Sequence, residues 1–309
     1  MRERSAETAS PEGLARALEA RGYLADEGLA TAAFLGLEMA RPLFLEGDAG
    51  VGKTALAAAL AEVLGSELIR LQCYEGIDAA QALYDWDYPR QLLHLRAAEA
   101  GGAADPARLE AELYDRRFLT ARPLLRALEA GTDPAAPPVL LIDEVDRADD
   151  EFDAFLLEVL SDFSISVPEL GTIRAAVPPL VVLTSNRTRE VHDALKRRCL
   201  YHWLPHPGFE RELAIIRRRL PGAAERLARE VARAAQRLRD PDALGGELIK
   251  PPGVAESLDW TEALHRLGAR HLDADRAART LGAVAKYRED HELLRARLSE
   301  LIGAAGTAP

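Results

Sequence analysis

Pro42-Leu43-Phe44-Leu45-Glu46-Gly47-Asp48-Ala49-Gly50-Val51-Gly52-Lys53-Thr54-Ala55-Leu56 runs an apolar stretch into a glycine loop and on into a segment rich in Ala and Leu. Residues 47–54 match G-x-x-x-x-G-K-[ST] in full. Glycines let the backbone wrap a chain of phosphates with its N–H groups pointing inward, and the helix that follows adds its positive N-terminal end. Gly47, Asp48, Ala49, Gly50, Val51 and Gly52 form the cradle, Lys53 has the reach for β- and γ-phosphates, and the Thr54 hydroxyl suits Mg²⁺. The surroundings are those this chemistry requires: a strand over 42–45, the loop, a helix over 53–64 and a second strand over 66–71. Strand, loop, helix, strand is a βαβ unit, so the sheet is parallel with a right-handed crossover.

Three further stretches carry chemistry. Val139-Leu140-Leu141-Ile142 is an apolar strand that ends in Asp143-Glu144. Ligands bind at the carboxyl ends of strands in open α/β sheets. There Asp143 suits Mg²⁺, through water, and Glu144 suits a general base that polarises an attacking water. Leu180-Val181-Val182-Leu183-Thr184-Ser185-Asn186 is a strand ending in a small polar group. Asn186 by itself reads as a turn residue; beside a phosphate loop it becomes a contact for the γ-phosphate or its water. Lys196-Arg197-Arg198 closes a short helix. Basic residues there complement the helix dipole, or they supply an arginine finger to a neighbouring subunit.

Elsewhere the chain divides by pattern. Ser10-Pro11 starts a helix that reaches Gly22, and a second helix fits 26–39. Tyr84 to Pro89 reads as a loop, and 91–100 and 106–116 as polar-faced helices around the flexible 100–105. The span 84–118 is thus an insertion in the α/β core. Tyr84, Trp86 and Tyr88 either pack beneath it or contact a client protein. A helix fits 122–130, another 151–163, a β-hairpin 164–175, a helix 192–198 and a last short strand 201–204. Beyond the hinge at 205–208 the pattern is helical to about 301. We therefore expect an N-terminal tail and linker helix (1–23), an α/β core (24–205) and a helical domain with its tail (206–309).

The 309 residues carry a net charge of −11, which gives no overall field toward nucleic acid or anionic membrane. Cys73 and Cys199 are far apart and outside any CxxC pattern, so they read as small buried hydrophobes. No apolar run approaches a membrane span and the first residues lack a signal-peptide core, so we expect a cytoplasmic protein with no membrane span.

The order of these elements resembles the AAA+ ATPases: phosphate loop, hhhhDE strand, strand ending in Asn, basic element, helical lid. Within that group, Asp143-Glu144-Val145-Asp146-Arg147-Ala148 resembles the DExxRA signature of the MoxR family, and residues 184–207 resemble its CoxD-like subgroup, associated with carbon monoxide dehydrogenase maturation. The resemblance implies a parallel sheet of order 5-1-4-3-2, ATP and Mg²⁺ as cofactors, and an ATPase ring, with a hexamer first among ring sizes. By residue, it makes Lys53 and Thr54 the Walker A pair, Asp143 and Glu144 the Walker B pair, Asn186 sensor 1, and Arg198, ahead of Arg197, the finger. Tyr23 and Leu24 sit where the family contacts adenine. One departure concerns sensor 2: the matching stretch, 256–261, has Asp259 or a neighbour where an Arg is expected, so that Lys250 or Arg266 substitutes or the lid signals differently. The implied work is chaperoning of a client metalloenzyme, such as a molybdenum hydroxylase, with a von Willebrand factor A domain partner. A metal-chelatase motor subunit, a DNA-acting motor and a nucleotide-dependent binding switch are the alternatives.

Overall fold

Strands covered on both faces read as unbroken apolar runs, whereas edge strands alternate. A computed structural model describes residues 6–100, 106–168 and 170–306. Its strands are β1 (Leu43–Glu46), β2 (Leu68–Gln72), β3 (Tyr84–Trp86), β4 (Leu119–Ala121), β5 (Val139–Asp143), β6 (Ser164–Val167), β7 (Gly171–Arg174), β8 (Leu180–Ser185) and β9 (Leu200–Trp203). The main sheet has the order β2-β5-β8-β1-β9, and all four pairings are parallel. Numbered within the sheet alone and read from the β9 edge, that is 5-1-4-3-2. The three inner strands are buried at every residue. The edge strand β2 alternates, with Ile69 and Leu71 inward and Leu68, Arg70 and Gln72 outward.

The chain falls into two units. The first comprises the chain up to Leu18, Ala25–Glu46 and Thr54–Trp203; the second comprises Glu19–Leu24, Gly47–Lys53 and the chain from Leu204. The phosphate loop therefore groups with the helical unit, while Thr54 and the acids group with the sheet.

Helices α1 (Pro11–Ala20), α2 (Glu27–Met39), α3 (Lys53–Leu64), α4 (Ala79–Leu83), α5 (Tyr88–Ala100), α6 (Pro106–Leu113), α7 (Pro123–Ala130), α8 (Asp150–Asp162) and α9 (Asp193–Arg198) accompany the strands. Short polar residues start several of them. Ser10 Oγ accepts from Gly13 N at 3.1 Å, Asp26 from Leu29 N at 2.8 Å and Asp149 from Phe152 N at 2.9 Å. The core of this unit gathers Phe44, Ile69, Leu125, Leu140, Ile142 and Leu156, all nearly or wholly buried. Cys73 and Cys199 are buried, and desolvation pushes both thiols up to about 12.

One local expectation is corrected. Tyr84 to Trp86 is a strand, not a loop, paired antiparallel with β4 so that Trp86 faces Leu119. The two aromatics favour extended backbone, but the partner strand lies more than thirty residues on and is invisible to a local reading. Trp86 packs edge-on against Tyr114 with ring centroids 5.5 Å apart, and Tyr84 and Trp86 both lie on the core. Tyr88, by contrast, is exposed. Residues 101–105, the expected flexible link, lie outside the described residues.

The second unit is helical: α10 (Phe209–Arg219), α11 (Glu225–Leu238), α12 (Pro241–Leu244), α13 (Val254–Arg266), α14 (Ala274–Thr280) and α15 (Arg288–Gly306). Leu213, Ile216, Val231, Trp260, Leu264 and Leu294 fill its core. Trp260 is core, with its indole N–H donating to Thr280 at 2.8 Å. A buried polar knot sits at the centre. Arg239 donates twice to Glu212, 2.7 Å each, and Ser257 and Gln236 add bonds of 2.6 Å. Arg239 Nε also holds the Pro252 carbonyl at 2.6 Å. Among the described residues no helix is long and apolar enough to cross a membrane.

Breaking a buried pair from one side strands the other charge. We expect Arg239→Met to destabilise the protein by about 3–5 kcal/mol, read as a loss in urea or thermal unfolding.

Candidate functional site

The phosphate loop is shaped by positions that only glycine fits. Gly50 has φ of +79°, in the left-handed region, and a methyl there would meet Glu256 Oε2 at 2.7 Å. Gly253, just before α13, lies so close that an added Cβ would stand 2.6 Å from the Ala49 carbonyl. Val254 N and Ala255 N both donate to Gly50 O, at 3.0 and 3.3 Å. Lys53 is buried, and its ammonium lies across the loop, donating to Gly47 O and Asp48 O at 2.7 Å each. Asp48 faces His206 at 3.2 Å. Burial, then Arg239, holds the His206 pKa below its ordinary value against the pull of Asp48. The Tyr23 ring stands 3.7 Å from the point where a Gly52 Cβ would be, and Leu24 O accepts from Arg211 at 2.7 Å.

At the carboxyl end of the sheet one carboxylate oxygen gathers three elements. Asp143 Oδ1 accepts the Thr54 hydroxyl at 3.0 Å and the Thr184 hydroxyl at 2.6 Å. Thr184 in turn accepts from Glu144 N at 2.9 Å. Asp143 Oδ2 takes Arg70 at 2.5 Å. These residues fit Mg²⁺. A Thr hydroxyl and a carboxylate are hard oxygen donors, and neighbouring oxygens on an octahedral ion of this size stand about 3 Å apart, which is the Thr54–Asp143 spacing.

Glu144 has φ of 55°. That conformation costs a non-glycine residue about 1–2 kcal/mol, and it turns the side chain out of the strand direction. Its carboxylate meets Asn186 Nδ2 at 3.3 Å, Gln72 Nε2 at 3.2 Å and Arg147 Nε at 2.8 Å. Asn186 is itself fixed from behind. The buried Asp146 accepts from Asn186 N at 3.2 Å, Thr188 N at 2.8 Å and Thr188 Oγ1 at 2.7 Å. Asp153, fully buried on α8, accepts from His192 N and Arg189, both at 3.0 Å, and burial raises its pKa.

Arg197 and Arg198 end α9 and are exposed. Arg197 pairs with Asp193 at 3.3 Å, whereas the Arg198 side chain has no such partner among the described residues. Arg41 braces this end by donating to Arg197 O at 2.9 Å and Arg198 O at 3.2 Å.

The sheet thus brings Thr54, Asp143, Glu144 and Asn186 together. The helical unit holds Gly47, Asp48, Ala49, Gly50, Val51, Gly52, Lys53, Tyr23 and Leu24. The residues against the phosphate loop are Gly253 to Glu256, one turn before Asp259, and they meet it through backbone and a carboxylate. Arg266 pairs with Glu262 on the surface, and Lys250 is exposed. Sequence reasoning missed Thr184, Asp146, Arg70 and Gln72. Asp146 had a signal, as a third acid two residues after Glu144; Arg70 and Gln72 had only their alternation on an edge strand.

Thr184→Val removes the hydroxyl that satisfies both Asp143 and Glu144 N. We expect a stability loss of about 1–3 kcal/mol, with a fall in turnover, measured by denaturation and by phosphate release.

Comparison with known proteins addresses this same region. The model of the AAA domain (dynein-related subfamily) matches residues 42–199, just over half of the chain. Midasin from Giardia intestinalis is 47% identical over 47 residues, 15% of this chain and 1% of midasin. Among solved structures, the Thermotoga maritima RuvB Holliday junction branch migration motor is similar at TM-score 0.47 and 13% identity, over 98% of this chain and 86% of that one. A point mutant of the same Thermotoga maritima RuvB gives 0.48 and 15%, over 91% and 81%. The matched span opens at the strand before the phosphate loop and closes after Arg198, and on that ground the chain belongs to the dynein-related subfamily of AAA domains and is an ATPase.

Proposed function

We propose that this ATPase is a Mg²⁺-dependent, ring-forming motor of the MoxR type that remodels a client protein. The observation that carries the catalytic part is the Thr54–Asp143 bond, with Glu144 next in sequence and Asn186 upon it. In this reading the backbone of Gly47 to Gly52 and the Lys53 ammonium grip the triphosphate, and Tyr23 and Leu24 flank the base. Thr54, with Asp143, holds Mg²⁺. The ion, when bound, neutralises charge on the β- and γ-phosphate oxygens. Glu144 takes a proton from the water that attacks the γ-phosphorus, and the bond to the β-phosphate oxygen breaks. Lys53 and Asn186 stabilise the charge that develops on the transferred group. Three donors hold Glu144 and leave one of its roughly four acceptor sites, on Oε1, for the water.

Arg198 is the finger in this proposal, donated to a neighbour's ATP. Its exposure and its freedom from an ion pair among the described residues favour it over Arg197, which Asp193 engages. A finger in trans needs a ring, and a hexamer is our first choice. The units of work are a core over 24–205, with the 84–118 insertion and the 164–175 hairpin as working surfaces, and a lid from 206 onward. The Asp143-to-Ala148 stretch supports the MoxR assignment. From it follow a von Willebrand factor A domain partner and a client metalloenzyme, such as a molybdenum hydroxylase.

We expect Glu144→Gln to keep nucleotide affinity and lose about 100-fold or more in kcat; wild-type-like turnover removes the assigned base. Light scattering with ATP and Mg²⁺ should show a ring, which Arg198→Ala leaves assembled but slow. A ring that turns over normally without Arg198 passes the role to Arg197. Capture with the Glu144→Gln trap from the native host should return a von Willebrand factor A domain protein and a metalloenzyme.

A further inference from the structure

The two oxygens of Asp143 meet different neighbours. Oδ1 takes two hydroxyls, whereas Oδ2 takes the Arg70 guanidinium at 2.5 Å. Arg70 and Gln72 are two residues apart on β2, so both leave the edge strand on its outward face. The register sets Gln72 beside Asp143. Arg70 also donates to Gln72 Oε1 at 2.5 Å, and Gln72 donates to Glu144 at 3.2 Å. One half-exposed cation is thereby joined to both acids at the end of β5.

Charge explains why a cation belongs there. Asp143, Glu144, Asp146 and Asp153 set four carboxylates within eleven residues of chain at and after the end of β5. Each of three of them has an arginine: Arg70 on Asp143, Arg147 on Glu144 and Arg189 on Asp153. A divalent ion brought to Asp143 meets a carboxylate whose outer oxygen is already engaged. A guanidinium on Oδ2 and a metal at Oδ1, the oxygen beside Thr54, would share one carboxylate and repel each other. The Arg70 side chain is 53% exposed and that of Asp143 is 5% exposed, so the arginine is the group that can swing away.

We propose that Arg70 is the resident counter-cation of the metal-binding carboxylate, displaced when Mg²⁺ arrives with nucleotide, and that it sets the Mg²⁺ concentration at which the site loads. This rests on Asp143 being the metal carboxylate. Arg70 is a positioning residue here: it touches Asp143, not the substrate.

The experiment titrates Mg²⁺ into metal-stripped full-length protein holding a substoichiometric, fluorescent, non-hydrolysable ATP analogue, and reads the midpoint. Arg70→Met should lower that midpoint roughly three- to fivefold, the strength of a half-exposed ion pair. Arg70→Lys, which keeps the charge, should return it most of the way. An Arg70→Met midpoint that is unchanged or higher overturns the proposal, as does a lysine variant that behaves like the methionine one. Asp143→Asn should raise the midpoint whether or not Arg70 is present. If it does not, the assignment of Asp143 to the metal has failed, which is a different result from failure of Arg70 to compete.

Discussion

One carboxylate oxygen, Asp143 Oδ1, holds the first turn of α3, the end of β5 and the end of β8 in a single hydrogen-bonded knot. It forms because β5 and β8 are neighbours in a parallel sheet, and parallel strands present their carboxyl ends on one side. Thr184 closes the knot by donating to Asp143 while accepting from Glu144 N, so that the orientation of one acid fixes the backbone of the next. Thr54, Asp143 and Glu144, three residues of the proposed mechanism, are aimed from this point.

Collecting acids at a sheet end is costly, and the structure shows how the cost is met. Asp143 and Asp146 are almost wholly buried, and each accepts several hydrogen bonds, which is the condition for burying a carboxylate. Asp146 uses its bonds to tie down the chain after β8, so Asn186 presents its amide to Glu144. The left-handed backbone at Glu144 is the complement of that arrangement. The strand direction alone would not deliver the carboxylate to Asn186, Gln72 and Arg147 together.

The helical unit follows a different logic. Its buried ion pair, Glu212 with Arg239, is fully hydrogen-bonded and anchors the Pro252 carbonyl. The next residue is the glycine that lets the start of α13 lie against the phosphate loop. Where a sensor arginine was expected, the contact is made by two backbone N–H groups on Gly50 O, with Glu256 alongside.

The phosphate loop, the DE strand and the strand ending in Asn186 were legible because each is a local pattern with its own chemistry: glycines at fixed spacing, and unbroken apolar runs ending in polar residues. The parallel sheet was readable from the local strand–loop–helix–strand pattern, whereas its order came only from the resemblance to the AAA+ ATPases. Tyr84 to Trp86 escapes a local reading because a strand is defined by its partner, and β4 lies far along the chain. Thr184, Arg70 and Gln72 carry no local signature, since a threonine inside a strand or an arginine on an edge is ordinary until register sets it beside Asp143. The sequence by itself determined which residues are proposed to bind phosphate and activate water. Only the tertiary structure decided which side chains hold them in place, because hydrogen-bond geometry and burial depend on strand neighbours that chain order does not reveal.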